Sequence, residues 1–215
     1  MNVLVTGTSQ GIGKAIAERF LREGHTVFGV DVRPAAIEHP HYTHFERDIR
    51  DERPLDVPAP EILINNAGTL EEADAIDVNL SGTIRFTERF LDSPALRSIL
   101  FIASASARNG AEFPYYVASK AGVVGYMKYL ANALGKRGIT VNSISPGGVI
   151  TPANAHILES EALYRAVLDE TLLNKWADPD EIAALSFSLT AENRSITGED
   201  VLVDNGEMLK SNFIW

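Results

Sequence analysis

The sequence contains no cysteine. A disulfide framework and a thiolate metal site are both excluded, and a reducing, cytoplasmic setting is the expectation. No apolar run is long enough to cross a bilayer. VLVTG, near the N-terminus, runs straight into a glycine turn instead of a cleavage site, so no secretory leader is expected. Positive charge is scarce: 19 Lys and Arg stand against 29 Asp and Glu, a net −10. That balance argues against nucleic acid or an anionic membrane as a partner. It does not exclude an anionic cofactor, because backbone amides hold phosphate without net positive charge. Repeats, low-complexity tracts and linkers are also missing. The three prolines within Arg53–Pro60 form a stretch too short to separate two domains.

What is present suits one domain. The 215 residues, 45% hydrophobic and 22% charged, are enough for a full core. Residues 2–6 are apolar and β-branched and end at Gly7, which predicts a buried strand. Residues 11–23 place Ile12, Ile16 and Phe20 on one helical face and Lys14, Glu18 and Arg22 on the other. Further strands are predicted at 25–30, 42–45, 62–65, 98–103, 139–145 and 200–203, with helices over about 72–91 and 116–134. Asp178-Pro179-Asp180-Glu181 has the pattern of a capped helix start, with proline at the first helical position. Alternating strands and helices predict an α/β, Rossmann-type, doubly wound parallel sheet.

Two motifs point to chemistry. TGTSQGIG at 6–13 follows the first strand and opens the first helix. In it Gly7 permits a sharp turn, Gly11 clears the approach of a pyrophosphate, and Gly13 permits close helix packing. A glycine turn that only packs is the competing reading. Asp31, ending the second strand, is placed to accept hydrogen bonds from a ribose diol and to repel a 2′-phosphate, favouring NAD over NADP. A solvated loop carboxylate is the bland alternative, and Arg33, two residues on, is a possible phosphate partner. The second motif is Tyr116 with Lys120, four apart on one helical face. An ammonium beside a phenol is expected to lower the phenol's pKa and suit it to proton transfer. Most helical tyrosines only pack, and Tyr126 and Tyr129 are read that way.

With these motifs in order, and with Asp48, NNAG at 65–68, DVNLSGT at 77–83, FIASASA, SPGGVIT at 145–151 and ITGEDVLVDNG at 196–206, the chain resembles the short-chain dehydrogenase/reductase family from Asn2 to about Gly206. The resemblance implies an enzyme interconverting a secondary alcohol and a carbonyl compound with NAD, or less readily NADP. It gives Tyr116 the role of general acid/base and Lys120 that of tuning it while holding the nicotinamide ribose. Asn79 would anchor a water linking Lys120 to solvent, and Ser104 would hydrogen-bond the substrate oxygen. The implied cofactor wall is Gly7, Ser9, Gly11, Ile12, Gly13, Asp31, Asp48, Ile49, Asn65, Ala67, Gly68, Tyr116, Lys120, Pro146, Gly147, Val149 and Thr151. The substrate lid would run from Pro152 to about Lys175. A homodimer or homotetramer is implied, because the family pairs helices equivalent to 79–91 and 116–134. A catalytically silent nucleotide-binding sensor or scaffold is the competing function.

Several features depart from the family pattern. Ser104 lies twelve residues before Tyr116, one fewer than usual, and Ser106, ten before, is the alternative serine. The chain is shortened between strands three and four, where a helix is usual, and after strand four. These losses predict a sheet less covered on one face, with a more open substrate cleft on that side. Asn205 replaces a glycine, and asparagine tolerates left-handed backbone. His39, His41 and His44 sit in a short link without acidic ligand spacing, so a solvated loop and no metal are expected. Phe213 and Trp215 in the tail are expected to dock on a neighbouring subunit or to fray.

Overall fold

A computed structural model describes residues 1–210; the expectation for Phe213 and Trp215 lies outside the described residues. Seven strands form one parallel sheet in the order β3-β2-β1-β4-β5-β6-β7. They are β1 Asn2–Thr6, β2 Thr26–Asp31, β3 Tyr42–Glu46, β4 Ile62–Asn65, β5 Ser98–Ile102, β6 Thr140–Pro146 and β7 Asp200–Val203. Each predicted strand is present within two residues of its expected ends. Strands β1, β4, β5 and β6 are buried almost throughout. This is why they read as near-continuous apolar runs, as strands covered on both faces do.

On one face, Ile16 and Phe20 of α1 (Gly11–Arg22) pack with Ile182, Ala183 and Phe187 of the later helix Pro179–Phe187. That later helix starts as predicted, with Asp178 and Glu181 forming a reciprocal capping box and Pro179 at the first position. The other face carries one continuous helical rod and a long helix. The rod is α2 (Glu72–Ala75), a π-helical turn Ile76–Gly82, and α3 (Thr83–Glu88). The expected uniform helix over 72–91 therefore contains a wide turn. After α4 (Ser106–Asn109), the long helix α5 (Pro114–Leu134) packs Val123, Met127 and Leu130 beside Phe86. Gly122 admits this closeness, since a Cβ there would lie 2.7 Å from the Leu80 side chain. The short α6 (Ala155–Leu158), then α7 (Glu161–Asp169), precede Pro179–Phe187, which is α8.

No regular element occupies the link from Asp51 to Pro60. Leu55 and Val57 pack on the sheet there in place of a helix. The carbonyls of Asp51, Arg53 and Pro54 accept from the Arg47 and Arg89 guanidiniums instead of from a helix backbone. What is left open is a depression of about 420 Å³ lined by Ile49–Glu52, Arg85, Glu88 and Arg89. It lies beside Asp48, not beside the serine and tyrosine. Asn205 stands at φ 55, in the left-handed region its side chain tolerates.

Candidate active site

The strand order reverses between β1 and β4, and the crevice beyond their carboxyl ends opens into a cleft of about 820 Å³. Ligands of doubly wound sheets bind at such a switch point. The floor is the glycine loop between β1 and α1. Gly7 and Gly11 have φ of 77° and 54°, in the left-handed region that favours glycine. A Cβ on Gly13 would come within 2.0 Å of the Gly7 carbonyl oxygen and 2.3 Å of Asn66 Nδ2. Gly13 therefore lies behind the cleft wall and lets α1 close on the loop. Asn66 pins that loop, donating from Nδ2 to the carbonyls of Thr6 (3.0 Å) and Gly7 (3.2 Å). The cradle leaves free amides at the start of a twelve-residue helix, the geometry that accepts a phosphate.

At one end of the cleft Asp31, 9% exposed, accepts from the Ser9 amide through Oδ2 and the Arg33 amide through Oδ1, both at 2.9 Å. Each carboxylate oxygen keeps a lone pair for a further donor. The Arg33 side chain lines the cleft and bonds to Gln10 Oε1. Asp48 is on the wall, held by Arg50 through Nε and Nη2 at 3.0 and 2.7 Å; these bonds keep its carboxyl below the usual range. Ile12, Ile49, Ala67, Gly68, Pro146, Gly147, Val149 and Thr151 also line the cleft. Ser9 and Asn65 do not. Asn65 is 5% exposed, and its Nδ2 has no partner within the sheet. Asn66 takes the place on the wall expected for Asn65. Of the expected lid only Pro152, Ala153 and Asn154 reach the cleft.

The opposite end holds Ser104, Tyr116 and Lys120. Tyr116 is set by the first turn of α5, whose Tyr115 and Tyr116 amides donate to the Glu72 carboxylate at 3.3 and 3.1 Å. A carboxylate is stabilising at such a helix start. Lys120 is 6% exposed, and its Nζ donates to the Ile102 carbonyl at 3.0 Å. Burial depresses its pKa to about 8. Asn79, in the π turn, accepts from the Thr69 amide (2.7 Å) and donates to the Thr69 carbonyl (2.9 Å) and Ser119 Oγ (3.1 Å). It does not line the cleft, but it flanks Gly68 from behind together with Lys120. A π turn at such a position is a recurrent mark of functional sites.

The serines form a pair, with Ser106 Oγ 2.8 Å from Ser104 Oγ. Ser104 lines the cleft with Tyr116, and Ser106 donates to its hydroxyl from behind. Arg108 of α4 holds this segment by pairing with Asp200 of β7, which also accepts from Ser143 and Ser145. One expectation needs correction. The Tyr116 phenol is pushed up to about 12, chiefly by burial and then by the Glu112 carboxylate, with only the nearby Ser104 hydroxyl acting downward. Lys120 does not lower it, because burial brings the lysine's own pKa to about 8 and the ammonium has lost its proton before the phenol titrates. Glu112 went unnoticed in the sequence. It lies on the cleft rim at φ 90, exposed overall, with its carboxyl raised by desolvation.

Comparison with known proteins fits this geometry. A family profile described as short chain dehydrogenase matches residues 1–53, and one described as enoyl-(acyl carrier protein) reductase matches residues 60–207. The chain belongs to the short-chain dehydrogenase/reductase family. Like its relatives, this dehydrogenase is an oxidoreductase acting on CH–OH or carbonyl groups with a nicotinamide dinucleotide. It is 32% identical to the (2S)-[(R)-hydroxy(phenyl)methyl]succinyl-CoA dehydrogenase subunit BbsD of Thauera aromatica, covering 96% of both chains. It is 27% identical to the L-rhamnose 1-dehydrogenase (NADP(+)) of Thermoplasma acidophilum, covering 97% of this chain and 96% of that one. Among solved structures, 4-hydroxyisoleucine dehydrogenase complexed with NADH superposes with a TM-score of 0.85 at 26% identity, over 98% of this dehydrogenase and 99% of that chain. Among the described residues no helix is long and apolar enough to cross a membrane, and no cluster of His, Asp and Glu could hold a metal.

Proposed function

We propose that the protein interconverts a secondary alcohol and its ketone with NAD(H) as the cofactor. The observation that carries this reading is one cleft with the buried carboxylate of Asp31 at one end and the Ser104–Tyr116–Lys120 group at the other. The residues fit the dinucleotide. The glycine cradle has no room for a Cβ at Gly7 or Gly13, and helix α1 offers unpaired amides for the pyrophosphate. Asp31 would hold the adenosine ribose and oppose a 2′-phosphate. When bound, the nicotinamide supplies the hydride acceptor or donor. Asp48 and Ile49 would face the adenine, and Pro146, Gly147, Val149 and Thr151 the nicotinamide half.

The chain's own residues manage the proton. Ser104 Oγ holds the substrate oxygen and steadies negative charge on it. Tyr116 Oη takes the hydroxyl proton in oxidation and returns it in reduction. Lys120, its Nζ 5.7 Å from the Tyr116 ring centre and donating to the Ile102 carbonyl, would hold the nicotinamide ribose beside the phenol. Asn79 keeps the π turn closed against Thr69 and Ser119, behind Lys120. Substrate enters beside Leu70, Glu71, Ala153 and Asn154 on the cleft wall. We place the enzyme in the cytoplasm and assign it a homodimer or homotetramer built on α3 and α5, where Tyr129 is 66% exposed. The retained proton-handling group disfavours a silent sensor.

The test is Tyr116→Phe. Turnover should fall at least about 100-fold, the scale of general acid–base catalysis, while NADH binding followed by fluorescence stays within twofold. Undiminished turnover would remove Tyr116 from the mechanism.

A further inference from the structure

The histidine-rich stretch that runs into β3 has no role in the chemistry above, yet His44, within β3, closes a directional hydrogen-bond chain. Thr8 Oγ1 lies 2.8 Å from Tyr42 Oη, Tyr42 Oη lies 2.9 Å from His44 Nδ1, and His44 Nε2 lies 2.9 Å from the Arg33 carbonyl oxygen. A carbonyl only accepts, so His44 Nε2 carries the hydrogen. In the neutral ring Nδ1 is then the acceptor, so Tyr42 donates to it, and Thr8 in turn donates to Tyr42. Every hydrogen in the chain is assigned by its last acceptor.

The chain occupies space made for it. A Cβ on Gly29 would come within 2.2 Å of Tyr42 Oη and 2.5 Å of Thr8 Oγ1. Thr8 is fully buried within the glycine loop. At the far end, the same Arg33 residue that His44 grips by its carbonyl donates its amide to Asp31 Oδ1. Ser9 ties the loop a second time, donating its amide to Asp31 Oδ2 and its hydroxyl to the Pro34 carbonyl. Arg33 is thus fixed at both backbone ends, with its side chain on Gln10.

We infer that His44 is a positioning residue for cofactor choice. Through Tyr42 and Thr8 it locks the Val32–Pro34 loop to the glycine loop, which holds Asp31 in place to face a free ribose 2′-hydroxyl and keeps Arg33 from swinging in to pair a 2′-phosphate. This rests on the reading of the enzyme as NAD-dependent. A loosened loop frees Arg33 and unseats Asp31 together, so the two cofactors should respond in opposite directions. A residue needed only for folding would weaken both alike.

The experiment is fluorescence titration of the full chain with NADH and NADPH, for wild type, His44→Leu, Tyr42→Phe, Asp31→Asn and the double variant His44→Leu/Asp31→Asn. Tyr42→Phe breaks the same chain by loss of one oxygen and serves if His44→Leu does not fold. In His44→Leu and Tyr42→Phe, the ratio of NADPH Kd to NADH Kd should fall about tenfold. In the Asp31→Asn background His44→Leu should change that ratio less, because the part of its effect that runs through the aspartate is gone and only release of Arg33 is left. Equal weakening of both cofactors, or effects that simply multiply in the double variant, would overturn the inference while leaving the NAD reading intact. A wild type that prefers NADPH would overturn both.

Discussion

Lys120 should be a residue that costs the fold stability. Its ammonium has three donors, is 6% exposed, and among the described residues finds one partner, the Ile102 carbonyl. Depression of its pKa from 10.5 to about 8 corresponds to about 3 kcal/mol of penalty on the charged form. Lys120→Met keeps the chain length and apolar contact and removes the charge. It also leaves the Ile102 carbonyl without its donor, a loss of about 1–2 kcal/mol. The net gain is about 1–2 kcal/mol at pH 7, or about 3–6 °C in Tm for a chain of this size. The pH dependence makes this specific. Below pH 8 both folded and unfolded chains carry the proton and the penalty is full. Between 8 and 10.5 the unfolded chain holds the proton and the folded one does not, so wild-type stability rises with pH through this window. The variant's advantage should therefore shrink from pH 7 to pH 10, read by thermal unfolding without cofactor, while its turnover is lost at every pH. A Lys120→Met protein less stable than wild type at pH 7, or one whose margin is constant across that range, would refute the reasoning.

Other consequences follow from the same geometry. Gly13→Ala forces a Cβ against the Gly7 carbonyl, which cannot give way cheaply. It should lose about 2–4 kcal/mol by denaturant unfolding, whereas Gly125→Ala, with nothing within 4 Å, should gain about 0.5–1 kcal/mol; equal effects would disprove the cradle. Glu112→Gln removes a charge that raises the Tyr116 phenol, so the acidic limb of alcohol oxidation should move to lower pH, and an unmoved limb would separate Glu112 from the tyrosine. Tyr129→Glu places a charge on the exposed face of α5 and should lower the mass found by sedimentation if that face is the subunit interface; an unchanged mass would exclude it.

The fold was readable because its signals are local. Apolar, β-branched runs such as Ile62–Asn65 and the Asp178–Glu181 cap carry their own physics, and each lies where the pattern placed it. The π turn was not readable. IDVNLSG carries its one breaker, Gly82, only at its last position, so nothing within the segment marks the wide turn. The turn is tertiary in origin, closed by Asn79 on Thr69 and Ser119 and admitted by Gly122 forty residues on.

The site divides along the same line. Residue types at fixed spacing, Tyr116 with Lys120 and the glycines with Asp31, could be read because four residues make one helical face and a strand end must follow a strand. Their electrostatics could not. Spacing alone suggested that Lys120 would acidify Tyr116, but the sign depends on desolvation of both groups and on Glu112, which local spacing places in a loop and only folding brings to the phenol. The two serines show the same limit. Sequence offers Ser104 or Ser106 as alternatives, whereas the fold joins them, with Ser104 in the cleft and Ser106 donating to it from behind. The chain's own groups thus hold the tyrosine as a neutral phenol, and proton transfer requires a change that offsets burial and the Glu112 charge.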